Sequence, residues 1–146
     1  MNLKTILLAI IAAFPLLACG QKPVADAQPC NNGVCKANVK VNNNDCSNPA
    51  NIVVEPDPLP VPKGGSNNIE WTIQTPGFTF VAAPGGITSL PPAIFTAPQL
   101  TGNGQKYSLK DANPETQPTP HKYDVHLQKP DGTACTVKDP TIRNGS

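Results

Sequence analysis

Apolar and polar side chains alternate most cleanly in two stretches. In Asn68–Gln74, Ile69, Trp71 and Ile73 fall on one face, with Glu70, Thr72 and Gln74 on the other. In His121–Gln128, Tyr123, Val125 and Leu127 oppose Lys122, Asp124, His126 and Gln128. A period of two is that of a half-buried strand, so the first set of each stretch is assigned to a core. Shorter runs add to this. Asn51–Glu55 is β-branched and reads as a strand. Leu59 and Val61 face inward from an extended, proline-rich edge. Phe78–Ala82 is expected to run back after the Pro76-Gly77 turn, and Lys106–Lys110 follows the Gly102-Asn103-Gly104 turn. Pro130-Asp131-Gly132 predicts a hairpin that returns Thr133–Val137, with Cys135 and Val137 on one face. Ile94 and Phe95 are the expected anchors of the proline-interrupted stretch 87–101. The three prolines of Asp111–Pro120, with no apolar pattern, predict an exposed loop.

About seven short strands separated by turns predict an all-β domain, a β-sandwich, over residues 46–146. Residues 19–45 lack an evident apolar period and hold Pro23, Pro29, Gly33 and Asn42-Asn43-Asn44. They read as a tether, with at most a short strand at Val39–Val41.

The first 18 residues read differently. Lys4 is the one charge before an apolar run, Ile6–Phe14, and small residues follow. That is the layout of a secretory signal, and the run falls short of the roughly 20 residues a membrane span needs. Leu16-Leu17-Ala18-Cys19 resembles the lipobox of bacterial lipoproteins. The resemblance implies a diacylglycerol on Cys19 Sγ, cleavage before Cys19 and acylation of the new amino group. The membrane is then a partner through the lipid on Cys19. By that family's sorting rule, Gly20 in place of Asp implies the outer membrane. Two acyl chains suffice for stable anchoring.

Composition narrows the domain's role. Loss of Lys4 takes the eleven Lys and Arg to ten, against ten Asp and Glu, so the mature side chains net to zero. Arg143 is the only arginine. Without a basic stripe, nucleic-acid binding has no electrostatic support. Eighteen prolines in 146 residues, well above the ~5% average, disfavour long helices.

Cys30, Cys35, Cys46 and Cys135 remain beside the anchor, an even set that implies a disulfide framework in an exported chain. Three pairings exist; the expected one is Cys30–Cys35 with Cys46–Cys135. The order Cys46, Trp71, Cys135 resembles the Cys–Trp–Cys arrangement of immunoglobulin domains, although no Tyr lies two residues before Cys135. The layout is also similar to small bacterial β-sandwich families such as the one called DP-EP. The carrying residues are Ile69–Ile73, Phe78–Phe80 and the closing Asp139-Pro140-Thr141-Ile142-Arg143-Asn144. This resemblance implies an immunoglobulin-like fold and no activity.

Chemical motifs are scarce. A cupredoxin copper site needs two His, a Cys and a weak axial ligand. His121, His126 and Cys135 are present, but five residues along one strand put the two imidazoles on opposite faces. The sequence holds no G-x-S-x-G elbow and no H-E-x-x-H pair. Asp124 and Glu70, candidates for a carboxylate pair, are assigned to solvated strand faces. No metal, cofactor or catalytic set is therefore expected. The expected role is a non-enzymatic binding or structural lipoprotein of the envelope, with another envelope protein or a glycan as partner. A cupredoxin-like carrier of a small ligand or metal is the alternative.

Overall fold

The largest departure from the expected layout is the first strand. The computed structural model describes residues 30–145, and Val34–Val41 (β1) lies inside the main sheet. Cys35, Ala37, Val39 and Val41 are buried, while Lys36, Asn38 and Lys40 face solvent. The tether reading is thereby corrected for Cys30–Val41. The alternation is strict, but two of its inward positions are Cys and Ala, so it does not stand out as an apolar stripe. Residues 1–29, with the leader and Cys19, lie outside the described residues.

Eleven further strands follow: β2 (Ile52–Glu55), β3 (Leu59–Val61), β4 (Asn67–Ile73), β5 (Thr79–Phe80), β6 (Ile87–Thr88), β7 (Phe95–Thr101), β8 (Lys106–Asp111), β9 (Thr119–Lys122), β10 (Asp124–Val125), β11 (Leu127–Gln128) and β12 (Thr141–Asn144). The described residues form no α-helix, only three short 3-10 turns. The fold is an all-β sandwich, with more and shorter strands than the seven expected. One layer is the five-stranded sheet β2-β1-β4-β8-β7. In it β1 and β4 run parallel, so that Val34 lies beside Asn68 and Val39 beside Ile73.

The other layer is built around the continuous strip 119–128. Its inward residues are as the alternation predicts: Tyr123, Val125 and Leu127 are buried. It is not one strand, however. β9 pairs with β12, which also takes β3 in parallel; β10 pairs with β6; and β11 pairs with β5. The breaks fall at Tyr123 and His126, whose backbone N–H groups donate to Pro140 and Gly86. Phe78–Ala82 likewise does not run back along β4. The Pro76-Gly77 turn carries it across to the second layer, where Phe80 lies opposite Leu127.

Aromatic rings join the layers. Trp71 on β4 packs against Tyr123, with ring centroids 5.4 Å apart, and Phe80 packs against Tyr107 of β8 at 5.6 Å. Such pairs add roughly 0.5–1.5 kcal/mol beyond the area they bury. Gly86 permits this packing, because a Cβ there would come within 2.6 Å of the Tyr107 ring and 2.8 Å of the Val81 carbonyl.

Both expected disulfides are present, Cys30–Cys35 and Cys46–Cys135. The second ties the segment after β1 to the segment after the Lys129–Thr133 turn. Thr136 reinforces it, donating its N–H and its hydroxyl to the Cys46 carbonyl at 3.0 and 2.9 Å. Val137, placed on the face of Cys135 by alternation, is 45% exposed.

Candidate functional site

The registers define two ends of the sandwich. At one end lie the starts of β1, β4 and β7 and the finish of β8: Asn67 stands opposite Asp111, and Phe95 opposite Asp111 on the other side. The finishes of β3 and β12 meet there too, with Val61 beside Asn144. Cys30, where the described chain begins, is at this end, its Sγ 3.5 Å from the Pro60 carbonyl. The opposite end carries the turns at 42–44, 74–77, 102–105 and 129–132.

The first end collects the buried polar residues. Asp111 is 0% exposed, Asn144 0% and Asn113 2%. Asp111 Oδ1 accepts the Asn113 backbone N–H at 2.8 Å and the Asn144 side-chain amide at 3.2 Å. The same Asn144 Nδ2 donates to Glu115 Oε2 at 3.2 Å. Glu115 Oε1 contacts His121 Nε2 at 2.9 Å, and these two side chains are only 14% and 11% exposed. Asn113 Nδ2 donates to the Pro62 carbonyl at 2.6 Å.

Local chemistry explains how the loop enters the interior. Asp111 closes an Asx turn on Asn113, which sits at φ 35°, a left-handed conformation Asn tolerates better than most residues. Gly145 follows Asn144 at φ 78°, and a Cβ there would come within 2.6 Å of the Gln117 carbonyl. The loop therefore lies directly on the end of β12. The expectation that Asp111–Pro120 is simply exposed is corrected at Asp111 and Asn113, whose side chains turn inward while Pro114, Thr116, Gln117, Pro118 and Pro120 stay exposed.

The cluster is short of donors. Asp111 Oδ2, Asn113 Oδ1 and Asn144 Oδ1 are buried oxygens without a hydrogen-bond partner. Burial pushes the Asp111 carboxyl above the ordinary carboxylate range, and the charge of Glu115 adds to this, against the hydrogen bonds from Asn113 and Asn144 and the charge of His121. Burial also pushes Glu115 up, but hydrogen bonds from its own N–H, Asn144 and His121 outweigh it and leave that carboxyl below its ordinary value.

The residues singled out from sequence are scattered. His121 serves Glu115, whereas His126 Nε2 lies 2.8 Å from the Thr88 hydroxyl. Cys135 is held in its disulfide. Among the described residues no group of three or more His, Cys, Asp or Glu gathers in a way that could hold a metal ion. Asp124 bonds the Ser89 hydroxyl and Glu70 faces Lys106 at 3.9 Å, so those two carboxylates do not form a pair. Phe95 is buried and Ile94 half-buried, so they form no exposed apolar patch.

Sequence reasoning missed Asp111, Asn113, Glu115 and Asn144 as a group. The available signal was the alternate-residue run Asp111-Ala112-Asn113-Pro114-Glu115; nothing in the sequence announced that Asn144 meets it. No protein-family model matches the chain, and no curated protein matches it.

Proposed function

We propose that the chain is a lipid-anchored, non-enzymatic module of the bacterial cell envelope, held at the outer membrane through Cys19 and presenting its sandwich to an envelope protein or a glycan. The observation that carries this reading is the spacing between the lipobox and the domain. Cys30 is already bonded to Cys35 at the start of a central strand, so ten residues separate it from Cys19. Fully extended, that stretch reaches about 40 Å. The short reach keeps the domain close to the bilayer.

Orientation follows from the same spacing. The chain joins the sandwich at the end that holds Asn67 and Asp111, which makes that end the membrane-proximal one. The turns at Asn42–Asn44, Gly102–Gly104 and Pro130–Gly132 then point away from the membrane, and the exposed edge strand β7 runs between the two ends. Of the two Pro-rich segments, 91–100 lies along that edge, while 111–120 closes the proximal end.

The test places a photo-crosslinking residue at Asn103, at Gln99 or at Ser66 in intact cells. Ser66 lies in the turn beside Gly33 at the proximal end. The reading expects adducts with one envelope protein or glycan from Asn103 or Gln99. Adducts from Ser66 alone would reverse the orientation, and their absence from all three sites across growth conditions would remove the binding role.

A further inference from the structure

The donor shortage at the proximal end has a chemical answer. We propose that Asp111, Asn113, Glu115 and Asn144 bind a hard divalent cation of calcium's size.

Three observations support this assignment. First, the oxygens without partners are on side chains that are at least 98% buried. A buried acceptor needs a donor, a proton or a cation. Second, the ligand types are right. Two carboxylates and two side-chain amides give hard oxygen donors, and calcium takes 6–8 of these at about 2.3–2.6 Å, water included. Residues 111, 113 and 115 alternate along one loop, as the first three side-chain ligands of calcium-binding loops do. The fourth, Asn144, comes from the other layer. Third, a cation surrogate already sits between the carboxylates: the Asn144 NH₂ donates to Asp111 Oδ1 and Glu115 Oε2 at 3.2 Å each. A half-turn of that amide exchanges N for O and puts a third oxygen between two carboxylate oxygens, an arrangement that a cation stabilises.

His121 has a supporting role. Its Nε2–H donates to Glu115 Oε1 and orients the carboxylate from behind. Glu115 and His121 are the least buried members of the group, at 14% and 11% side-chain exposure, so water that completes the coordination shell would enter on their side. The bound ion would fasten the loop after β8 to the end of β12, on the side where the chain arrives from Cys30.

The set has neither thiolate nor imidazole among its ligands, which argues against a transition metal. Extracellular calcium modules bind at roughly 10⁻⁴–10⁻³ M, a range that suits two carboxylates and a wet shell.

The experiment is equilibrium dialysis of the full chain, stripped with EGTA and held in a non-ionic detergent, against ⁴⁵Ca²⁺, with sodium chloride of equal ionic strength as the blank. The expected result is one calcium per chain, weakened at least tenfold in Asp111→Asn and in Glu115→Gln. Asp111→Asn keeps the shape of the side chain and removes its charge, and a thermal melt in EGTA checks that the variant folds. In the wild type, calcium at ten times its dissociation constant lowers the unfolding equilibrium constant about elevenfold. No binding up to about 10 mM, ten times the weak end of that range, overturns the proposal and leaves a buried water or a proton as the occupant. Equal binding by wild type and both variants overturns it as well, because the ion is then elsewhere.

Discussion

Trp71 donates its indole N–H to the phenolic oxygen of Tyr123 at 2.9 Å, and both side chains are wholly buried. This is a polar contact at the centre of the hydrophobic core, and it sets the register of the two layers at that point. Burial also pushes the Tyr123 hydroxyl well above its ordinary pKa, so it stays a neutral partner. Tyr123→Phe keeps the ring but strands the indole N–H, which costs about 1–3 kcal/mol. Urea melts measure it. A loss smaller than 0.5 kcal/mol, on the order of a neutral surface change, would mean that the N–H finds another acceptor.

The strand at Val34–Val41 has its own consequence. It pairs with β2 on one side and β4 on the other, so it is a central strand. A chain that starts at Cys46, where the sequence alone would begin the domain, loses it and leaves two strand edges unpaired. That shortened chain is expected to show no cooperative melt, whereas one starting at Pro29 melts as a single transition. Cooperative unfolding of the shorter chain would return residues 34–41 to the tether.

The two disulfides should differ in weight. Cys46–Cys135 closes a separation of 89 residues and Cys30–Cys35 one of 5. In the chain-entropy model the long loop stabilises by nearly 5 kcal/mol, and removal of native disulfides typically costs about 2–5 kcal/mol. Replacing Cys46 and Cys135 by Ser should therefore lower stability far more than replacing Cys30 and Cys35. Equal losses would show that the short bridge acts through the native packing of Cys35, which is buried, and not through loop closure.

Acid should act at the segment beside Cys46. Asp45 Oδ1 accepts the Ser47 hydroxyl at 2.6 Å and the Ser47 N–H at 2.9 Å, and Oδ2 accepts the Asn51 amide at 3.0 Å. The Ser47 hydroxyl contributes most to holding this carboxyl below its ordinary value. A carboxylate with a lowered folded pKa adds stability above its unfolded pKa, and that contribution is lost as pH falls through the folded value. An NMR titration should place the Asp45 midpoint below that of a free aspartate, and Ser47→Ala should move it up. A midpoint unchanged by Ser47→Ala would assign the shift to another cause.

What could be read from the chain depended on how visible each alternation was. Ile69, Trp71 and Ile73, and Tyr123, Val125 and Leu127, were legible because large apolar residues alternate with plainly polar ones. Cys35 and Ala37 carry the same period with small side chains among Lys and Asn, and so the strand between them was not. Alternation gives the face of a residue but not its neighbour, which is why one strip at 119–128 hides three pairings. The polar end was illegible for a different reason. Asp111 and Asn113 lie in a proline-rich stretch that normally marks a solvated loop. Their burial depends on Asn144 of β12 and the Pro62 carbonyl, groups brought to them only by the folded topology.

The reading as a whole rests on the lipid at Cys19, and one measurement bears on it directly. Cells expressing wild-type or Cys19→Ser protein are grown with radiolabelled palmitate and then fractionated. The account predicts label and membrane association in the wild type, and in Cys19→Ser neither label nor retention in the membrane fraction. A Cys19→Ser protein that still incorporates palmitate and remains with the membrane would contradict it.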